Sequence, residues 1–418
     1  MNFHSRARGS SWASFATTTV VSFGCGILAA SYALRLRDRE RLRRATSRTK
    51  KILQKGQRAA LGPVIPLLKS KAESSGAKVI VIGAGNYGTA MAYAAATSAE
   101  NDVVLFMRDE QQCEVLNNTG YNPKYLSKYP LNPNGNKIRG IWKEEDLREE
   151  LGTSGVVVIM ALPCQRTPEW IAKHRDMIHP DTLLVNTSKG LYLKTQQLIG
   201  HAILDALDRA EQPLAFLSGP GFAEEIVQGF PTSVVVASDR LFLAVRVQKI
   251  MSNQQSFRVY TSQDPIGVQL GGALKNPLAV GAGMISGMGY KTNTLSACVT
   301  RANRELCDLC IAMGGDPKTI NGLSGIGDLM LTCFSSQSRN QRCGQRLMKG
   351  ESIESIQKDF TVEGVATADV AIAYADMCGL ELPLFRVVHA LIHKQLTPEE
   401  AVAKLMGRPL VQESAISH

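Results

Sequence analysis

Lys275 stands in GGALKNPLAVGAG, where nearly every neighbour is small or apolar. Burying an ammonium there is costly, and desolvation lowers a lysine pKa toward the range in which it can give and take a proton near neutrality. Further on, GLSGIGDLMLTC spaces Asp328 and Thr332 four residues apart, which puts a carboxylate and a hydroxyl on one face of a helix. Ser338-Arg339-Asn340 follows with donors suited to a phosphate, the guanidinium being able to grip it through two parallel hydrogen bonds. Taken alone, that triplet reads equally well as a solvated loop. Lys189, beside Gly190 in NTSKG at the end of an apolar run, reads as an anion-binding lysine. The chemistry these residues suit is proton transfer next to a bound phosphate.

Such residues need a scaffold and a partner, and KVIVIGAGNYG (Lys78 to Gly88) supplies the first sign of one. A β-branched run stops at a turn punctuated by Gly83, Gly85 and Gly88, and a small-residue helix is expected over Thr89 to Ala99. In this spacing the first glycine turns the chain, the second lets the backbone approach a pyrophosphate, and the third brings helix and sheet together. A second apolar strand, Val103 to Met107, arrives about 20 residues on and ends in Arg108-Asp109. An acid there favours NAD and an arginine tolerates the 2′-phosphate of NADP, so both cofactors stay open.

Further strands are expected at Val156–Ala161, Thr182–Thr187 and Leu214–Leu217, each running into small, turn-forming or charged residues. Strand and helix signals alternate from Ala77 to about Tyr260, the mark of a parallel sheet covered by helices on both faces. Ligands bind such sheets at the carboxyl ends of the strands. Residues 117–139, crowded with Asn, Pro, Gly and Tyr, read as a long functional surface loop. Past Asp264 helical periodicity takes over. The expected organisation is a leader and linker over 1–76, a dinucleotide-binding domain over 77–264 and a helical substrate domain over 265–418.

The chain has 418 residues and a net charge of +10, but that charge is local. Residues 1–58 hold 13 Lys and Arg against two acids, a net +11, so residues 59–418 sum to about −1 and no nucleic-acid partner is expected. Residues 12–34 are mostly apolar and long enough to span a bilayer, and an arginine-dense segment follows. Two readings stand: a membrane anchor with a cytosolic body, or a removable signal for a plastid or other organelle. The second is preferred because Gly, Ser and Thr interrupt the run. Nine cysteines lack paired spacing except Cys307-x-x-Cys310, which has no second pair, so reduced thiols and no metal are expected.

In chain order, GAGNYGTA, NTSKG, SGPGFAEE, GGALKN, GIGDLMLTC with SQSRNQR, and VEGV resemble the NAD(P)-dependent glycerol-3-phosphate dehydrogenase family shared with bacteria. The resemblance covers residues 77 to about 405. It implies a Rossmann-type doubly wound parallel sheet with a second, all-α domain, a homodimer, and interconversion of dihydroxyacetone phosphate and sn-glycerol 3-phosphate with NAD, NADP being admitted. That reaction would feed glycerolipid or glycerol synthesis. Lys275 then resembles the proton donor and acceptor, with Asp328, Lys189, Asn276 and Thr332 in the catalytic set. Lys189, Gly219, Lys275, Asp328, Ser338, Arg339 and Asn340 resemble the substrate contacts. Gly83, Gly85, Asn86, Tyr87, Gly88, Arg108, Lys189, Ala223, Arg339 and Glu363 resemble the cofactor contacts. Bacterial relatives commonly carry Thr in S-G-P-T-F-A where this chain has Gly221 and lacks the hydroxyl. A related 3-hydroxyacid, 2-hydroxyacid or 6-phosphogluconate-type dehydrogenase would leave SRN and GDLMLTC without a reason. A non-catalytic NAD(H)-binding redox sensor would have no need of Lys275.

Overall fold

The computed structural model describes residues 76–97 and 100–413. Apolar, β-branched runs form the strands β1 (Lys78–Ile82), β2 (Asp102–Phe106), β3 (Arg139–Ile141), β4 (Val157–Met160) and β5 (Leu183–Asn186). A small hairpin, β6 (Leu191–Tyr192) and β7 (Gln197–Leu198), precedes β8 (Leu214–Ser218), β9 (Thr232–Ala237) and β10 (Phe257–Ser262). The main sheet has the order β10-β9-β8-β5-β4-β1-β2-β3. Its inner strands are buried on both faces: Val79 and Val81 of β1 pack into one core with Leu105 and Ala90, while Ile80 and Ile82 pack into the other with Val104 and Ile171. That alternation is what a sheet sandwiched between two helical layers requires.

Strands β3-β2-β1-β4-β5-β8 run parallel, in the order of a dinucleotide-binding sheet whose direction of winding reverses between β1 and β4. The parallel sheet expected from the sequence is present, with one exception at an edge. There β9 pairs antiparallel to β8, and β10 parallel to β9. Only the five-residue helix Ala223–Val227 lies between β8 and β9, too short to carry the chain back along the sheet, whereas the 11-residue helix Leu241–Met251 returns it between β9 and β10. Strand β3 closes the segment read as one long loop; at three residues it carries too little pattern to be seen in sequence.

From Pro265 the described residues form helices and turns only. The 23-residue helix Pro265–Gly287 is capped by Asp264, whose Oδ1 accepts from Gly267 N at 2.9 Å, and 18 of its residues are buried. The helices Thr292–Ala312, Asp328–Phe334, Arg339–Met348 and Glu363–Cys378 pack around it. Sheet and helices belong to one compact unit. Cys307 and Cys310 are buried free thiols, as are most described cysteines. Among the described residues no helix is long and apolar enough to cross a membrane; residues 12–34, where membrane contact is expected, lie outside them.

Candidate active site

The glycine turn leaves β1 at Gly83, whose φ of +106° an L side chain rarely adopts. The helix begins at Asn86, three residues before the sequence placed it, and Asn86 lies exposed in its first turn. No side chain caps this helix and no acid sits in its first turn, so its leading N–H groups face outward unclaimed. A Cβ on Gly85 would meet nothing within 4 Å, whereas one on Gly88 would fall 1.8 Å from the Gly83 carbonyl oxygen. Space lies over the second glycine and close packing under the third, which fits a pyrophosphate.

Sequence reasoning missed a residue beneath this turn. Asn122, fully buried in the long loop, donates through Nδ2 to the Ala84 carbonyl at 3.2 Å and to Thr89 Oγ1 at 2.9 Å. Its Oδ1 accepts from Gln112 Nε2 at 2.7 Å. The loop thus braces the glycine turn from below. At the far end of the turn's helix face, Ala223 opens the helix Ala223–Val227, which packs on Asn86–Ala96. Past β2, Asp109 Oδ1 accepts from Gln112 N at 3.0 Å and caps the helix Glu110–Thr119, while Arg108 is exposed. One carboxylate oxygen of the Arg108-Asp109 pair serves the cap.

The carboxyl end of β5 delivers Lys189, and the long helix of the second half delivers Lys275. They meet on one carboxylate. Asp328, with no exposed surface, accepts from Lys275 Nζ at 2.5 Å through Oδ1 and from Lys189 Nζ at 2.7 Å through Oδ2. Lys189 Nζ also donates to the Gly219 carbonyl at 2.9 Å. A π-helical turn, Leu323–Gly327, sets Asp328 at the start of its helix. Gly272 permits the approach, since a Cβ there would lie 2.8 Å from Ser218 Oγ at the end of β8. Ser218 is itself buried with its hydroxyl unpartnered among the described residues, a second residue missed in sequence although SGPG at a strand end marked it.

Thr332 joins the lysine on the same helix face as Asp328. Its hydroxyl donates to the Asp328 carbonyl at 2.7 Å and accepts from Lys275 Nζ at 2.6 Å, so it aims the lysine and has no donor left for substrate. The two lysines are driven apart electrostatically. Burial lowers the Lys275 pKa to about 8, Asp328 opposing and Lys189 adding to the fall. Burial also acts to lower that of Lys189, but Asp328 and Tyr87 outweigh it and the net shift is upward. Tyr87 carries a buried hydroxyl with no partner among the described residues, and burial raises its pKa.

A second group lines the helical side. Asn276 Nδ2 donates to Glu363 Oε2 at 3.3 Å, and Asn276 Oδ1 accepts from Asn340 Nδ2 at 3.0 Å. Asn340 Oδ1 in turn accepts from Gly364 N at 3.0 Å. The two asparagines therefore hold one another and the start of helix Glu363–Cys378, which leaves each one N–H to offer. Burial raises the pKa of Glu363, against the pull of Arg339, Lys275 and Lys189. Ser338 caps its helix by accepting from Gln341 N at 3.2 Å and keeps its own proton to donate. Arg339 is exposed and makes no hydrogen bond to a described residue.

A glycine turn open to a pyrophosphate, facing a buried pair of lysines of unequal proton affinity across a sheet's carboxyl edge, defines a nicotinamide-dependent oxidoreductase. Residues 78–244 match the model of the NAD-dependent glycerol-3-phosphate dehydrogenase N-terminus, and residues 264–403 that of its C-terminus. The chain is 37% identical over 339 residues to glycerol-3-phosphate dehydrogenase [NAD(+)] 2, chloroplastic, of Arabidopsis thaliana, covering 80% of this chain and 79% of that one. It is 35% identical over 337 residues to glycerol-3-phosphate dehydrogenase [NAD(P)+] of Desulfovibrio desulfuricans, covering 80% and 98%. A crystal structure of glycerol-3-phosphate dehydrogenase from Coxiella burnetii superposes with a TM-score of 0.70 at 31% identity, covering 80% of this chain and 99% of that one. The chain belongs to the NAD-dependent glycerol-3-phosphate dehydrogenase family. It is an NAD(P)-dependent oxidoreductase that interconverts dihydroxyacetone phosphate and sn-glycerol 3-phosphate, and neither another hydroxyacid dehydrogenase nor a non-catalytic sensor is favoured.

Proposed function

We propose that Lys275 is the proton donor and acceptor at the substrate C2 oxygen, and that the carrying observation is its place opposite Lys189 on the single carboxylate of Asp328. An ammonium has three N–H donors. Two of those on Lys275 are taken by Asp328 and Thr332, and the third is left for the developing alkoxide. Lys189, held charged, stabilises the same negative oxygen without giving up its proton. Arg339, Ser338 and the remaining N–H of Asn340 bind the phosphate, with Asn276 adding a neutral donor and Gly219 orienting Lys189. The nicotinamide, when bound, supplies or takes the hydride. Gly83, Gly85, Asn86, Gly88 and the adjoining Tyr87, Ala223 and Glu363 hold the cofactor, whose phosphates meet the open helix N-terminus. With one oxygen of Asp109 held at its helix cap and Arg108 exposed beside it, the arginine is free to meet a 2′-phosphate, so NADPH is accepted beside NADH. The assay is the purified chain with dihydroxyacetone phosphate and each reduced cofactor, followed at the nicotinamide absorbance. No oxidation of either sinks the reading.

The division into a dinucleotide-binding domain to residue 264 and a helical domain beyond it is supported by the break between the two matched models. A homodimer is supported by apolar residues left exposed on adjacent helices, among them Ile311, Met330 and Phe334. Light scattering at a single chain's mass would remove that proposal. Residues 1–76 direct the chain to an organelle, a plastid first. The match begins only at residue 78, and two relatives are named chloroplastic. Fusion of residues 1–76 to a fluorescent protein, with sequencing of its mature N-terminus, separates an organelle signal from a retained membrane anchor.

A further inference from the structure

Away from the lysines, helix Pro383–Ile392 ends in two histidines four residues apart: His389 in its last turn and His393 at its C-cap. Both aim Nε2 at one oxygen of Asp369 on the neighbouring helix Glu363–Cys378, at 3.0 and 2.8 Å. The imidazole rings lie 4.4 Å apart, tilted by 49°, and the three ligand atoms all lie within 4.8 Å of one another. We propose that Asp369, His389 and His393 form a site for a borderline divalent cation of the Zn²⁺ class, which clamps these two helices together.

Two imidazoles and one carboxylate select Zn²⁺, Co²⁺ or Ni²⁺ over Mg²⁺ or Ca²⁺, which prefer oxygen alone. With bonds of about 2.0–2.1 Å, a tetrahedral ion separates its ligand atoms by roughly 3.3 Å. The two histidine–Asp369 distances need open by only a few tenths of an ångström. Asp369 and His393 are exposed and His389 partly so, which lets the side chains adjust and leaves the fourth position to water. The C-terminal end of helix Pro383–Ile392 also favours a cation. Histidines at i and i+4 share one helix face, but the third ligand comes from another helix. That is why sequence reading, looking for cysteine pairs, expected no metal. Asp369 lies less than two turns from Glu363 and Gly364, where the helix meets Asn276 and Asn340. The clamp therefore fixes the helix that begins beside the lysines.

The test uses the full chain without a histidine tag, stripped with a chelator and titrated with Zn²⁺ and Co²⁺. One equivalent should bind with a Kd on the order of 10 µM, raise the thermal midpoint, and give Co²⁺ the visible absorption of a tetrahedral nitrogen and oxygen site. Asp369→Asn, His389→Ala and His393→Ala should each weaken binding by about tenfold or more while circular dichroism shows them folded. His389→Gln and His393→Gln serve in place of any that fail to fold. Absence of stoichiometric binding by the parent overturns the proposal. So does binding undiminished in folded variants, or a Co²⁺ spectrum with thiolate charge-transfer bands, which would assign the ion to the cysteines.

Discussion

Raising the pH should divide the two directions of the reaction at Lys275. Burial and the neighbouring Lys189 bring its pKa to about 8 against the pull of Asp328. Ketone reduction needs the ammonium, which is roughly nine-tenths of the population at pH 7 and a tenth at pH 9 if the pKa is about 8. Above pH 8 the reduction rate should therefore fall about tenfold per unit, while alcohol oxidation, which needs the free amine, should rise through the same region and level off. Asp328→Asn supplies the internal check. Removing one partner of a buried ion pair costs roughly 3–5 kcal/mol. At about 1.36 kcal/mol per pKa unit, a third of that acting on Lys275 moves both inflections about one unit toward acid. The same shift has a sign for stability. The unfolded lysine, at 10.5, binds its proton where the folded one has lost it, so Lys275 makes the chain more stable as pH rises from about 8 toward 10.5. Nicotinamide absorbance under single-turnover conditions, from about pH 6 to 10 in both directions, reads the chemical step apart from product release. Rates that rise together or fall together with pH in the two directions, or inflections that stay in place in Asp328→Asn, would refute the assignment.

Lys275→Ala should lower turnover by about 10²–10⁴ with cofactor binding nearly unchanged; a variant that keeps more than about a tenth of the parent rate shows that another group moves the proton. Arg339→Ala should cost roughly 1.5–3 kcal/mol, seen as a higher KM for dihydroxyacetone phosphate and weaker discrimination against free dihydroxyacetone. Unaltered discrimination would move the phosphate away from Arg339. Gly88→Ala, whose Cβ would fall 1.8 Å from the Gly83 carbonyl oxygen, should destabilise the fold by about 1–3 kcal/mol or more and weaken NADH binding; fluorescence titration alongside thermal melting checks both.

Much of the site could be read locally. Gly83, Gly85 and Gly88 follow a β-branched run and precede a helix of small residues, and each glycine has a backbone reason that no distant residue alters. Lys275 declared itself by the apolar company it keeps, and Asp328 and Thr332 by their helical spacing. Other features were hidden for definite reasons. Strand β3 is too short to show a period. Asn122 looked like loop composition, because its partners Ala84 and Thr89 lie 38 and 33 residues away. The spacing of Thr332 gives its face but not the direction of its proton, which goes to the Asp328 carbonyl.

Sequence by itself determined strands β1, β2, β4, β5 and β8, the glycine turn, the change to helices at Pro265, and the residue types able to move a proton and hold a phosphate. These depend on backbone sterics and on periodicity over a few residues. Only the tertiary structure decided that β9 and β10 run against the rest of the sheet, because that depends on how far a short connection can carry the chain. It alone decided that Asp328 serves Lys275, 53 residues away, and Lys189, 139 residues away. It also gave those two lysines opposite shifts in proton affinity, since desolvation and Coulomb energy depend on distances that packing sets and sequence separation does not.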